Sequence, residues 1–353
     1  MAASNAIPPL VRLLGPRSHA LFQQVAASVL ELVTRDADIA VTIAAAGAIP
    51  FLAKLIGPGY LESMQRSATV VLSRLAAGNA DIADSVVSAG AVPLIVRMLG
   101  PDYSAELQRD AAAAMDNFAR YDDVAATIAA ASAIPPLVLL LGSDAASLPR
   151  AAAAAMRRLV HLDEIAASIT AAGAIPLLVR LLEGDSFVQW LAMASLKRLA
   201  LTAEYAAAIA AAGAIPRLVR LLRPRFPANF KLNAMALLSF LAEYSGNAVS
   251  MAAVGAIPPL VELLGPVSSD TVQERAAVLT RLAQNDKNAA HIIAAGAIPH
   301  LMQLLGPGSD EEATAAPSAA LRALANSSDD NRAAIAAAAA SADLLHVMQG
   351  LGL

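Results

Sequence analysis

One short motif constrains the fold more than anything else in the chain. Ala-Ile-Pro (once Ala-Val-Pro), followed by a run of Leu and Val, recurs down the 353 residues with its first proline at Pro8, Pro50, Pro93, Pro135, Pro176, Pro216, Pro258 and Pro299. The successive spacings are 42, 43, 42, 41, 40, 42 and 41 residues. So regular a period means that each segment is one supersecondary unit. Such a unit cannot bury its apolar face alone and is stabilised by stacking on copies of itself.

Each unit reads as three helices. The first is short and Ala-rich, as in 36–46, 81–89 and 122–131, with acidic residues at its start, where an N-cap or the helix dipole favours them. Gly47, Gly90, Gly173, Gly213, Gly255 and Gly296 then stop it. Glycine tolerates the left-handed conformation of a helix terminus, so the chain can turn there; Ser132 is the one internal exception. The second helix starts at the Ile-Pro pair, where proline loses no hydrogen bond, and it carries the apolar stripe. A Gly-Pro break follows at 15–16, 57–58, 100–101, 265–266 and 306–307, and then the longest helix, for example 61–77 or 188–201. Second helices are expected to start near residues 7, 49, 92, 134, 175, 215, 257 and 298, with a degenerate ninth copy from Asp343-Leu344-Leu345.

This order of short helix, glycine corner, proline-initiated helix and long helix resembles the armadillo repeat family, and Gly-Ala-Ile-Pro-Leu-Leu-Val-Arg-Leu-Leu at 173–182 is similar to its second-helix pattern. The resemblance covers essentially the whole chain. The expectation is an all-α, right-handed α-solenoid of about eight stacked three-helix armadillo repeats, one array over 1–353 with partial units at both ends. HEAT repeats are the nearest alternative, and the glycine-terminated short helix argues against them. Helices packed ~8–10 Å apart would give eight units a concave groove on the order of 70–80 Å long. An extended partner rising ~3.3 Å per residue would place roughly two to three of its residues on each unit.

Composition narrows the function. With a formal charge of -4 and a pI near 5.7, no general nucleic-acid affinity is expected. Every apolar stretch is interrupted short of the ~20 residues of a membrane span, so no membrane insertion is expected either. The absence of Cys excludes disulfides and thiolate chemistry. The five histidines fall in different units at no metal-ligand spacing, and pairs such as Asp122-Asp123 and Asp163-Glu164 recur at helix starts. No nucleophile, base and orienter set can be assembled. The expectation is therefore a protein-binding scaffold and not an enzyme, without cofactor or metal, in the cytoplasm or nucleus.

The resemblance locates the binding residues on the long helices. In nuclear-import adaptors these carry Trp and, four residues later, Asn facing the groove. The Asn column here reads Glu31, Arg74, Asn117, Arg158, Arg198, Phe240, Arg281 and Ala323, and the positions four earlier are Ala27, Val70, Ala113, Ala154, Ala194, Ala236, Ala277 and Ala319. Without the Trp pockets a receptor for basic signals is disfavoured. Arg74, Arg158, Arg198 and Arg281, bordered by Arg66, Arg109 and Arg150 eight residues earlier in their helices, suit an extended acidic or phosphorylated protein segment. The bland reading is that they neutralise Asp and Glu of adjacent units. Trp190, Phe240 and the basic, aromatic 223–231 stretch form a second candidate docking area, whose bland reading is inward packing. The alternative functions are a nuclear-transport-type adaptor and the substrate-binding part of a larger ubiquitin-ligase-type chain. Neither terminal unit has a polar outer face, so either end-to-end self-association or further flanking sequence is expected.

Overall fold

The computed structural model describes residues 2–264, 272–305 and 311–341, all of whose regular structure is helical. The Gly265-Pro266 and Gly306-Pro307 turns and the degenerate ninth copy lie outside the described residues. The chain divides into two compact units, Met1–Leu181 and Leu182–Leu353. In the first, α1 (Ala2–Leu13) and α2 (Ala20–Val33) precede three triplets. These are α3 (Ala37–Ala45), α4 (Ala48–Leu55) and α5 (Glu62–Ala76); α6 (Ala80–Ser88), α7 (Ala91–Arg97) and α8 (Ala105–Phe118); and α9 (Asp122–Ala130), α10 (Ile134–Leu141) and α11 (Ser147–Leu159). The unit closes with α12 (Asp163–Ala171) and α13 (Ala174–Leu181).

The second unit opens on the long helix α14 (Ser186–Leu199). It continues with α15 (Ala203–Ala211), α16 (Ala214–Leu221) and α17 (Ala228–Ala242), then α18 (Ser245–Ala253), α19 (Ile257–Glu262) and α20 (Val272–Ala283). Last come α21 (Asp286–Ala294), α22 (Ala297–Gln303), α23 (Glu311–Ser327) and α24 (Asp329–Ser341).

The punctuation behaves as its chemistry requires. Gly47, Gly90, Gly173, Gly213, Gly255 and Gly296 all have φ between 74° and 84°. Across this corner the chain turns by 92° between α3 and α4, and by 88° between α9 and α10 and between α12 and α13. In the first copy Asn5 stands where the corner glycine should be, and helix α1 runs unbroken through Pro8 and Pro9 instead of starting at them. Acidic residues do gather at the short helices, though in different roles. Asp36 caps α3 by accepting from the amides of Asp38 and Ile39, whereas Asp81 lies in the first turn of α6, which Asn79 caps.

Ser132 takes the glycine role at φ 61°, a conformation that costs an L-residue roughly 1 kcal/mol. Ser132→Gly should therefore raise stability by about 0.5–1 kcal/mol, less the greater entropy of the unfolded glycine. Chemical denaturation of the two chains checks this. A less stable glycine variant would mean that the seryl side chain contributes more than its backbone conformation costs.

Within the first unit the long helices α2, α5, α8 and α11 pack side by side in succession, and so do α14, α17, α20 and α23 within the second. Their shared interior is Ala and Leu with single larger fillers such as Phe118 and Met115. A buried glutamine ties each of several long helices to the turn before it. Gln23 donates to the carbonyl of Gly15 at 2.9 Å, Gln65 to Gly57 at 2.9 Å, Gln108 to Gly100 at 2.7 Å and Gln189 to Leu182 at 3.1 Å. Each satisfies a carbonyl left over where the second helix ends.

Candidate binding face of the long helices

The glutamine ties fix the register of the long helices against one another. Gln65, Gln108 and Gln189 each lie nine residues before Arg74, Asn117 and Arg198, and nine after Gln23 is Leu32. The first helix therefore contributes Leu32 to the column, not Glu31. The position four earlier is Ser28, which is exposed, and not Ala27, which is fully buried. Counting from the motif proline gives the same register, because Leu32, Arg74 and Asn117 each lie 24 residues after Pro8, Pro50 and Pro93.

In the later helices the position four before the column is small and open to solvent. Ala113 is exposed, and Val70, Ala154, Ala194, Ala236, Ala277 and Ala319 are half-buried. Each unit thus carries a floor of small side chains, with the column residue one turn to one side and the Arg66, Arg109, Arg150 and Trp190 position one turn to the other.

Four column residues reach backwards to the residue just before the column in the preceding copy. Arg74 donates to the carbonyl of Glu31. Asn117 donates to Ser73 Oγ at 2.9 Å, and Arg158 Nε to Asp116 Oδ1 at 2.6 Å. In the second unit Arg281 donates to Ser239 Oγ and pairs with Glu243. The bordering arginines are paired as well. Arg66 lies 2.9 Å from Asp110 and 3.7 Å from Glu106, Arg109 bonds the other oxygen of Asp110 at 2.7 Å, and the hydrogen bond to Asp110 holds Arg66 above its ordinary pKa. Arg66, Arg74, Arg158 and Arg281 thus bridge adjacent copies, whereas Arg109 pairs with its own neighbour on α8. Their guanidiniums remain partly open to solvent.

Arg150 is exposed on α11, and Arg198 is half-buried in the last turn of α14. Trp190 sits on α14 with its ring 5.9 Å from that of Phe187, both partly exposed. The 223–231 stretch behaves mostly as an irregular turn. Phe230 is buried in α17, Phe240 is half-buried, and the guanidinium of Arg225 lies 4.9 Å over the Phe226 ring.

The basic ladder of the second helices points elsewhere. Arg180 donates to the carbonyl of Leu141 at 3.2 Å, and Glu183 holds Arg217 at 3.3 Å and Arg220 at 3.5 Å. Among the described residues no group of three or more His, Asp or Glu could hold a metal ion, and no single helix is long and apolar enough to cross a membrane.

Two apolar positions of α2, Phe22 and Val25, are more open than their equivalents in the later long helices. Leu21, Phe22, Val25 and Leu32 are 59%, 55%, 52% and 64% exposed. In the register set by the glutamines, Phe22 corresponds to Met64, Leu107, Leu148, Val188 and Phe230, all buried. Val25 corresponds to Ser67 and Asp110, which reach back to Glu31 and Arg66 of the preceding helices. Within each compact unit this is the face by which a long helix packs on the one before it.

No family model and no curated protein matches the chain. Solved structures do match. One is a crystal structure of an engineered protein from the Northeast Structural Genomics Consortium, with a TM-score of 0.86 and 27% sequence identity, over 98% of this chain and 83% of that one. The likeness fits the all-helical fold described above.

Proposed function

We propose that the chain is an armadillo-type α-solenoid that binds an extended, acidic or phosphorylated protein segment along the face of its long helices. The observation that carries this reading is the repetition, copy after copy, of a small-residue floor flanked by partly exposed guanidiniums. A floor of alanines lets a partner backbone approach closely. Side chains on either side can then hydrogen-bond it in the repeat's own register. The arginines are not spent by their struts, because a guanidinium has five N–H donors and Arg158 meets Asp116 through Nε. Bidentate pairing with a second carboxylate or a phosphate is the use to which the rest are suited.

Arrays of acidic, phosphorylated and basic peptides of about 12 residues, probed with the full chain, test the proposal. Saturable binding of acidic or phosphorylated members is the expected result. Arg74→Glu should weaken it at least ~10-fold, since a hydrogen bond to a charged group contributes ~1.5–3 kcal/mol. Reversing Arg12 and Lys54, on the second-helix ladder, should leave it within about twofold. Equal sensitivity at both places would move the binding surface off the long helices. Selective binding of the basic peptides would overturn the ligand class.

A further inference from the structure

Near the ends of the first two long helices, α3, α5 and α6 border an open cleft of about 490 Å³ with the residues just beyond α2. Its wall is apolar, with Val41 of α3, Leu75 of α5 and Ile82 of α6. Val41 is 53% exposed and Ile82 is half-buried, so part of that wall is wet. Two guanidiniums line the same space, Arg35 beyond the end of α2 and Arg74 in the last turn of α5, and no carboxylate of the described residues does. Asp36, next to Arg35 in the chain, is engaged in capping α3.

The bland role of a cation at the end of a long helix is to offset the helix dipole. Arg74 fills it by donating to the Glu31 carbonyl, which the Thr34 hydroxyl also reaches at 3.1 Å. That contact leaves the guanidinium with further donors. Arg35 is exposed and makes no hydrogen bond or ion pair with another described residue. The equivalent cleft of the second unit, about 460 Å³, has Gln284 for Arg35, Asp286 for Ala37 and Ala323 for Arg74. Its lining holds one cation, Arg322, and one carboxylate, Asp286, so the double positive charge is not a general requirement of packing one copy on the next.

We infer that the cleft at Arg35 and Arg74 anchors the bound segment through a pair of its residues: an aliphatic side chain seated against Val41 and Ile82, and a neighbouring carboxylate side chain held by the two guanidiniums. A cleft of this size falls among ligand sites of ~300–1,000 Å³ and is far larger than a carboxylate needs. An apolar side chain fills the remainder and dries the wall, while the arginines pair with the charge beside it. The inference rests on the acidic segment proposed above and adds to it a place where that segment must also be apolar.

The test uses the full chain and acetylated, amidated peptides of Ser and Glu, about 12 residues long, that differ only in a central Leu-Glu or Ala-Glu pair. The Leu peptide should bind at least ~10-fold more tightly, the effect of burying one leucyl side chain. Val41→Glu, at an exposed position, and Arg35→Gln should each abolish that preference with the helical circular dichroism unchanged. A Leu-Gln pair should lose it too. Equal binding of the Leu and Ala peptides overturns the cleft, as does a preference that survives both substitutions in the protein.

A second probe, acetyl-Gly-Leu-Glu-Gly-amide at millimolar concentration, is too short to run along the array. It should raise the melting temperature saturably in the parent and not in Val41→Glu. If the longer peptides bind alike and lose affinity only in Arg74→Glu, the cleft is wrong and the binding face stands. If the short peptide binds through Val41 and Arg35 while the longer acidic peptides gain nothing over it, the cleft stands and the binding face is wrong. Binding that needs a free C-terminal carboxylate in place of the Glu side chain overturns the assignment of the anion.

Discussion

Arg158→Glu should lower stability by about 2 kcal/mol and weaken binding of an acidic peptide at least ~10-fold. The side chains of Arg158 and Asp116 are only 26% and 23% exposed, so their contact lies between a surface ion pair worth ~0.2–1 kcal/mol and a buried one whose breakage costs ~3–5 kcal/mol. Reversal also sets two carboxylates against each other. Arg158→Asn separates the two effects, because Asn117 fills the same place one copy earlier and bonds Ser73. It should cost about 1 kcal/mol, the ordinary worth of a lost net hydrogen bond. Chemical denaturation and peptide titration of the two variants form the measurement. An unchanged Glu variant by denaturation would remove the strut. Unchanged peptide affinity in both variants would remove Arg158 from the binding face.

The second large effect concerns α2. Phe22 and Val25 lie open at positions that later long helices use to pack within each compact unit, with Leu21 and Leu32 exposed beside them, and a second copy of the chain is the occupant expected there. Its α23 offers the matching small side chains, with Ala315 exposed and Ser318 and Ala319 half-buried. The apparent mass should rise with concentration in sedimentation experiments. Phe22→Glu with Val25→Lys should hold the chain monomeric over the same range. Such a contact joins two different surfaces and does not close on itself, so the species should be open chains of increasing length. A parent chain whose mass is independent of concentration would sink this expectation.

Most of the helix order was legible because it is written in residues with backbone consequences. The second-helix prolines fix φ and the corner glycines admit a positive φ, and neither effect depends on what packs around them. Asn5 shows the converse: where the glycine is missing, helix α1 simply continues. The proposed binding face was legible in part. The column from Arg74 to Arg281 is periodic and could be aligned, but its contacts run from one copy to another, and no single segment contains both partners. Sequence alone left the struts and the free groove as competing readings for that reason. Alignment of the first long helix on Glu31 is one residue short of Leu32, and the glutamines correct it. Gln23, Gln65 and Gln108 each lie fifteen residues after the motif proline, a repetition as regular as the proline spacing itself.

The backward direction of the struts also bears on how such a chain can change its length over evolutionary time. Each copy brings a donor for the copy before it and, up to Asp116, an acceptor for the copy after it. Excision of one whole period, residues 74–116, would set Arg158 against Ser73, an acceptor of the kind that Arg281 already uses at Ser239. Unequal recombination between copies could then shorten or lengthen the reading frame offered to a partner without new contacts having to be invented.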